Sequence, residues 1–226
     1  MLSTKTLDNE ALAYAQTKNL EVHCIDFIET KALPFNLENI KDDSFDAIAF
    51  TSANAVKYFF ENTGARALVG GKQIFALVGR TKDELLTRGI KANITAGSAD
   101  ELADAIIASK SAQGVLHVCG NLKLPVLEKK LKAAGVLYND VIVYETITHP
   151  EKKVNGHFAA ILFYSPSGVE SFLAENNFED QTVCCCIGAT TAQALKKKKN
   201  TANIILPAQP SPIFMLSVVS DYLRGN

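Results

Sequence analysis

One tyrosine and a set of hydroxyl-bearing turns are the groups in this chain whose types and spacing point to chemistry. Tyr144 ends the apolar run Val141-Ile142-Val143, directly before a polar break at Thr146–Pro150. A tyrosine at the mouth of a hinge can point into a cleft and donate a hydrogen bond, or it can pack its ring between two lobes. Thr51-Ser52, Thr81-Lys82, Gly120-Asn121, Ser165-Pro166-Ser167, Gly188-Ala189-Thr190-Thr191 and Ser211-Pro212 each follow an apolar run. Ser, Thr and Asn at such places satisfy free N–H groups where helices begin. Taken alone, each turn reads most simply as a helix cap. Taken together, they would line the strand C-terminal edge of parallel sheets, where α/β folds bind ligands. Helix N-termini favour anions there, and Lys82 and Lys123 add positive charge. The chemistry expected is capture of a small molecule with several carboxylates or phosphates.

Other reaction classes leave no trace. The histidines at 23, 117, 149 and 157 are scattered, with no HExxH or CxxC spacing, so no metal is expected. There is no GxSxG elbow and no phosphate-binding Walker sequence. Val78-Gly79-Arg80-Thr81 is too short for a dinucleotide fingerprint, so no cofactor is expected either. Cys184, Cys185 and Cys186 are adjacent in an apolar run, so on a strand they alternate between faces and cannot converge on one ion. Cys24 and Cys119 read the same way, as buried strand residues. A net charge of −1 gives no global field for nucleic acid. The lysines at 196–199 read as a solvated helix end. The N-terminal segment lacks a signal-peptide pattern, and no run reaches the roughly 18–20 apolar residues of a membrane span. A cytoplasmic protein with no membrane contact is expected, and nothing demands a partner chain, so a monomer is expected.

The elements that must position these groups show a repeat. Phe50-Thr51-Ser52-Ala53-Asn54-Ala55-Val56, then Phe59, matches Phe163-Tyr164-Ser165-Pro166-Ser167-Gly168-Val169, then Phe172, at an offset of 113. Ser98 and Ser211 share that offset, and the Val78–Thr81 turn matches Ile187–Thr191 with one residue of slippage. Such self-similarity predicts two α/β lobes of roughly 110 residues each. Apolar runs predict strands at 21–25, 45–50, 73–78, 115–119, 140–145, 158–163, 182–187 and 203–206. Helical spacing falls between them, with Gly64, Gly89 and Gly135 placed as C-caps. Alternating strands and helices predict mainly parallel sheets flanked by helices. The first 33 residues do not resemble the start of the repeat. The expectation is a discontinuous domain of residues 1–33 plus 149–226, with a second domain, 36–145, inserted in it. The linkers, near 34–35 and 146–148, would pair as a two-stranded antiparallel ladder.

FTSANAV, VIVYET, ILFYSPSGVESFL, CIGATTAQAL and the late PSP, in that order and spacing, resemble uroporphyrinogen-III synthases. The resemblance runs from about residue 45 to the end. It implies two α/β domains, one inserted in the other, and a cofactor-free hydro-lyase of tetrapyrrole (haem) biosynthesis. Its substrate would be hydroxymethylbilane, a linear tetrapyrrole with many carboxylates, handed on by the upstream hydroxymethylbilane synthase or met free. The hydroxyl leaves as water, the terminal D ring attacks through its substituted carbon, and the macrocycle closes with that ring inverted. By motif, Tyr144 matches the residue that helps the hydroxyl leave. Ser165, Thr190, Thr191 and Ser52 match substrate-binding turns. The chain departs from many relatives at Lys5, where an arginine is common, at Cys119, which replaces an arginine before Gly120, and at Thr81, which sits one place early so that Thr81 or Lys82 takes its role. The contrasting reading is a non-catalytic bilobed protein that closes on an anionic small molecule or a tetrapyrrole.

Overall fold

A computed structural model describes residues 1–37, 40 and 44–225. In chain order the first elements are β1 (Leu2–Ser3), α1 (Asn9–Thr17), β2 (His23–Cys24), β3 (Ile28–Ala32), β4 (Ala47–Phe50), α2 (Ala53–Phe59), α3 (Ala65–Leu68), β5 (Gln73–Leu77), α4 (Arg80–Leu86) and β6 (Ile94–Ala96). There follow α5 (Ala99–Ser109), β7 (Gly114–Gly120), α6 (Val126–Ala133), β8 (Leu137–Thr148), β9 (Ala160–Phe163), α7 (Pro166–Glu175), β10 (Val183–Cys186), α8 (Ala189–Lys198), β11 (Asn203–Ile205) and α9 (Pro212–Leu223). The chain divides into two compact units, Met1–Glu29 with Ile147–Asn226, and Thr30–Thr146. No helix among the described residues is long and apolar enough to cross a membrane.

The discontinuous unit holds a five-stranded sheet in the order β11-β10-β9-β1-β2, with every pair parallel. Its central strands β9 and β10 are apolar throughout because helices cover both faces. On β9, Ile161 and Phe163 enter one core with Val169 and Phe172 of α7 and Leu195 of α8. Ala160 and Leu162 enter the other, with Ala11 and Ala15 of α1 and Met215, Leu216 and Val219 of α9. The cysteines obey the same period: Cys184 and Cys186 join the first core and Cys185 the second. Burial raises all three thiols to about 12, so they stay protonated and inert.

The continuous unit holds a six-stranded sheet in the order β3-β8-β7-β4-β5-β6. Ile48 and Phe50 of β4 pack with Val56 and Phe59 of α2 and Leu85 of α4. Ala47 and Ala49 face Leu102 and Ile106 of α5 and Leu127 and Leu131 of α6. Setting aside β3, the order β8-β7-β4-β5-β6 is that of β2-β1-β9-β10-β11 in the other unit, so the sequence repeat is a repeat of topology.

Several elements differ from the sequence expectation. β1, β3 and β6 have two, five and three residues and fall outside the predicted strands, since none is a long apolar run. β8 has twelve residues instead of the six predicted, because it extends through Asn139 at one end and Thr146 and Thr148 at the other, polar residues at partly or fully exposed positions that break the apolar run. Gly64 does not close α2. It stands at the N-cap of α3 with an ordinary right-handed φ of −76°. Gly89 and Gly135 do follow α4 and α6, with φ of 70° and 77°.

Candidate active site

Each unit gathers its helix starts at the C-terminal ends of its parallel strands. Five of these starts cap themselves, α1 with Asp8 and four others with serine. Ser52 Oγ accepts from Ala55 N–H at 3.4 Å, Ser98 from Glu101 at 3.2 Å, Ser165 from Gly168 at 3.0 Å and Ser211 from Phe214 at 3.3 Å. The Glu101 carboxylate reaches back past this cap and accepts from Gly97 N–H at 3.0 Å. Pro166 and Pro212 open their helices, where a missing N–H costs nothing.

Among the described residues, four starts have no side-chain cap, those of α3, α4, α6 and α8, and of these α4 and α8 begin directly after a strand's end, one in each unit. α4 begins at Gly79 and α8 at Gly188, and neither has a side-chain cap. Gly79 has φ 71°, a conformation that favours glycine. The first-turn N–H groups of these helices are left for an outside acceptor, as anion receptors require. Of the residues in those turns, Lys82 and Thr190 are exposed, while Thr81 and Thr191 are buried. The buried threonines therefore anchor the first turns, and the exposed pair can reach a ligand.

Tyr144 lies in the continuous unit. Its hydroxyl is 3.0 Å from Ser52 Oγ, and its ring stacks on Tyr58 with centroids 5.6 Å apart. Tyr58 is in turn fixed by Thr30, donating to its carbonyl at 2.7 Å. Gly120 makes the place for the ring: a Cβ there would stand 2.4 Å from Tyr144 Cζ. The β7–β8 register shifts between Cys119 and Gly120, so Gly120 faces Tyr144. Asn121 N–H donates to the Tyr144 carbonyl at 3.1 Å, and Asn121 Oδ1 accepts from Thr146 N–H at 2.9 Å. Burial raises the Tyr144 pKa, with the Ser52 hydrogen bond pulling the other way. The phenol is therefore a neutral donor near pH 7.

Around this pair the structure brings together residues that sequence reasoning missed. His117 Nε2 is 2.9 Å from Thr51 Oγ1 and its Nδ1 is 2.8 Å from Tyr138 OH. Lys123, expected as a spare cation, is held by Asp140 at 2.6 Å and lies 3.9 Å from Glu128. Its charge is already balanced within its unit.

In the discontinuous unit, Ser165 Oγ and Ser167 Oγ are 3.1 Å apart over the start of α7. Thr4, beside this turn, donates to the Leu162 carbonyl at 2.7 Å. Tyr164 OH is 3.4 Å from Ser3 Oγ. Two cavities, of about 260 and 580 Å³, lie at the opposite, N-terminal edges of the two sheets. The first is lined by Phe158, Phe172 and Phe178, the second by Ile106, Val136 and Leu137. Neither includes a residue of the turns described above. A carboxylate-rich ligand matches the turn edges, with their open N–H groups and hydroxyls, better than these apolar hollows.

The chain is similar to known proteins of one family. The family model described as Uroporphyrinogen-III synthase HemD matches residues 9–216. A mutant uroporphyrinogen III synthase from the extremely thermophilic bacterium Thermus thermophilus superposes over 100% of this chain and 99% of its own, with TM-score 0.71 and 16% identity. The uroporphyrinogen-III synthetase of Helicobacter pylori does so over 100% and 98%, with TM-score 0.68 and 18% identity.

Proposed function

We infer the working of the site from one premise: the chain belongs to the uroporphyrinogen-III synthase family, a family of cyclising hydro-lyases. Hydroxymethylbilane is the substrate the family implies. The side-chain roles that follow are our reading of the geometry.

The observation that carries the reading is the hydroxyl of the half-buried Tyr144, 3.0 Å from N-cap Ser52, with its ring seated on Gly120. The turn edge of each unit is a receptor for carboxylates of the substrate. Ser165, Ser167, Gly188, Thr190, Thr191 and Ser211 belong to one unit, and Ser52, Thr81, Lys82, Gly120, Asn121 and Lys123 to the other. Contacts to the open N–H groups of α4 and α8 come from the backbone, and the exposed Lys82 and Thr190 supply side chains. Thr81 and Thr191 act from beneath, by fixing those first turns.

Tyr144 donates to the hydroxyl of the substrate as the carbon–oxygen bond breaks. Ser52 donates to the tyrosine oxygen and stabilises the charge it gains. Water leaves, and the remaining azafulvene cation is attacked by the substituted carbon of ring D. Holding the chain in a near-attack fold is the larger part of the work, because the bilane also closes unaided to the uninverted isomer.

The test is a coupled assay. Hydroxymethylbilane is generated in place, and the oxidised products are separated into type I and type III isomers. Protein-dependent type III product is expected, and type I alone at the spontaneous rate overturns the reading. Tetrapyrrole binding without turnover would then favour a binding protein. Tyr144→Phe is expected to lower kcat about 100-fold, the low end for a lost general acid, with product affinity changed much less. Equal loss of both would deny Tyr144 a special role.

A further inference from the structure

His117 has no part in the reading above, yet it is 2% exposed and uses both ring nitrogens. Its partners, Thr51 Oγ1 at 2.9 Å and Tyr138 OH at 2.8 Å, are neutral hydroxyls. A buried imidazole with no carboxylate on either nitrogen stays uncharged. Its pKa falls to about 4, through burial first and Lys123 second, against opposing pulls from Asp140 and Glu128.

A neutral imidazole has one donor nitrogen and one acceptor, and here the phenol decides which is which. A phenolic O–H donates more strongly than an alcohol, and an imidazole sp² nitrogen accepts more strongly than a phenol oxygen. Burial, then Asp140, raises the Tyr138 pKa, so its proton is in place. Tyr138 therefore donates to Nδ1, and the proton of the ring sits on Nε2 and goes to Thr51 Oγ1. The oxygen of Thr51 is then an acceptor inside the protein, and its own proton must find a partner elsewhere. Thr51 is half-buried, at the end of β4 and next to N-cap Ser52.

We propose that His117 and Tyr138 are positioning residues that commit the Thr51 hydroxyl to donate to a substrate carboxylate, which adds Thr51 to the binding edge. The proposal rests on the reading of that edge as the carboxylate site. His117 touches no substrate, and its effect passes through Thr51 alone. Linked hydrogen bonds of this kind strengthen one another.

Two measurements on the full chain test it. Nitrogen-15 NMR of the imidazole, without substrate, is expected to show the Nε2–H tautomer in the wild type and a mixture in Tyr138→Phe. In the type III assay, Thr51→Val is expected to lower kcat/KM about 10-fold through KM, as loss of one hydrogen bond does. Tyr138→Phe should lose about 3-fold, roughly half of that bond. The double variant should lose no more than Thr51→Val, and Thr51→Ser should restore near-normal KM.

An Nδ1–H tautomer in the wild type overturns the proposal. So does wild-type KM in Thr51→Val, or losses that simply multiply in the double variant. Should Tyr138→Phe unfold, Thr51→Val and Thr51→Ser still decide between a donor and a mere filler. A wild type that makes no type III isomer overturns the underlying function instead, whatever the tautomer.

Discussion

The two units place a ring and a hydroxyl at matching positions in opposite ways. His117 on β7 is the register partner of Ala49, and Ser3 on β1 is the partner of Leu162. Those partners stand one residue before Phe50 and Phe163, the anchors of the sequence repeat. In the same frame Thr51 matches Tyr164. The continuous unit puts the ring on the inner strand and the small hydroxyl on the turn. The discontinuous unit puts the small hydroxyl on the inner strand and the ring on the turn, and Tyr164 reaches back to Ser3 at 3.4 Å. Each pairing of large with small fills similar space, which is what core packing asks. Only one of them leaves a small hydroxyl at the turn. Shared architecture is thus compatible with a division of labour at this position, where the continuous unit has a small hydroxyl, Thr51, and the discontinuous unit a ring, Tyr164.

The strongest way to break this contrast is Gly120→Ala. A Cβ 2.4 Å from Tyr144 Cζ forces the ring off its seat, and the Asn121 turn shifts with it. Type III turnover should fall about 100- to 1,000-fold, the size of a misplaced acid, with near-UV spectra reporting the moved ring. Tyr164→Phe in the other unit should stay within about 2-fold, because a contact this long contributes little. Comparable losses from the two changes would erase the division of labour.

The next effect is on stability. His117 has a folded pKa of about 4 against an ordinary 6.5, so the unfolded chain binds the extra proton first as pH falls. Its contribution is fully present above pH 6.5 and is lost progressively down to about pH 4. The difference amounts to about 3 kcal/mol across that window. Ser3 at the matching position cannot titrate. Urea unfolding of His117→Asn should therefore show a flatter pH profile than the wild type between 6.5 and 4. Parallel profiles would place the slope elsewhere.

The smallest effect sharpens the binding side. Gly188 has extended backbone and open space around its missing Cβ. Gly188→Ser should cap α8 and add a few tenths of a kcal/mol, shifting Tm by about 1 °C. The same hydroxyl then competes for the N–H groups that a carboxylate needs, so KM should rise about 3-fold. A rise in Tm with unchanged KM would remove α8 from the binding edge.

The caps and turns were legible in the sequence because they are local: a hydroxyl, a following helix and an apolar strand before it fall within ten residues. The repeat multiplied that signal and made the parallel sheets readable. β1, with two residues, carries too little pattern to be seen, although it lies between β9 and β2 in the sheet. The Thr51–His117–Tyr138 line was not legible, since it depends on the register of β4, β7 and β8. Its one trace was a histidine inside the otherwise apolar run Gly114-Val115-Leu116-His117-Val118. Lys123 shows the converse. Its positive charge is plain in the sequence, but its pairing with Asp140 is set by the path of β8.

The stacked rings of Tyr58 and Tyr144 give the protein an optical property. The chain has six tyrosines and no tryptophan, so no indole masks phenol absorption or emission. Tyr58 and Tyr144, with centroids 5.6 Å apart and planes inclined by 28°, are close enough for their electronic transitions to couple. A ligand that draws the Tyr144 hydroxyl away from Ser52 changes that coupling. Near-ultraviolet circular dichroism of the unlabelled protein can therefore follow the key ring directly.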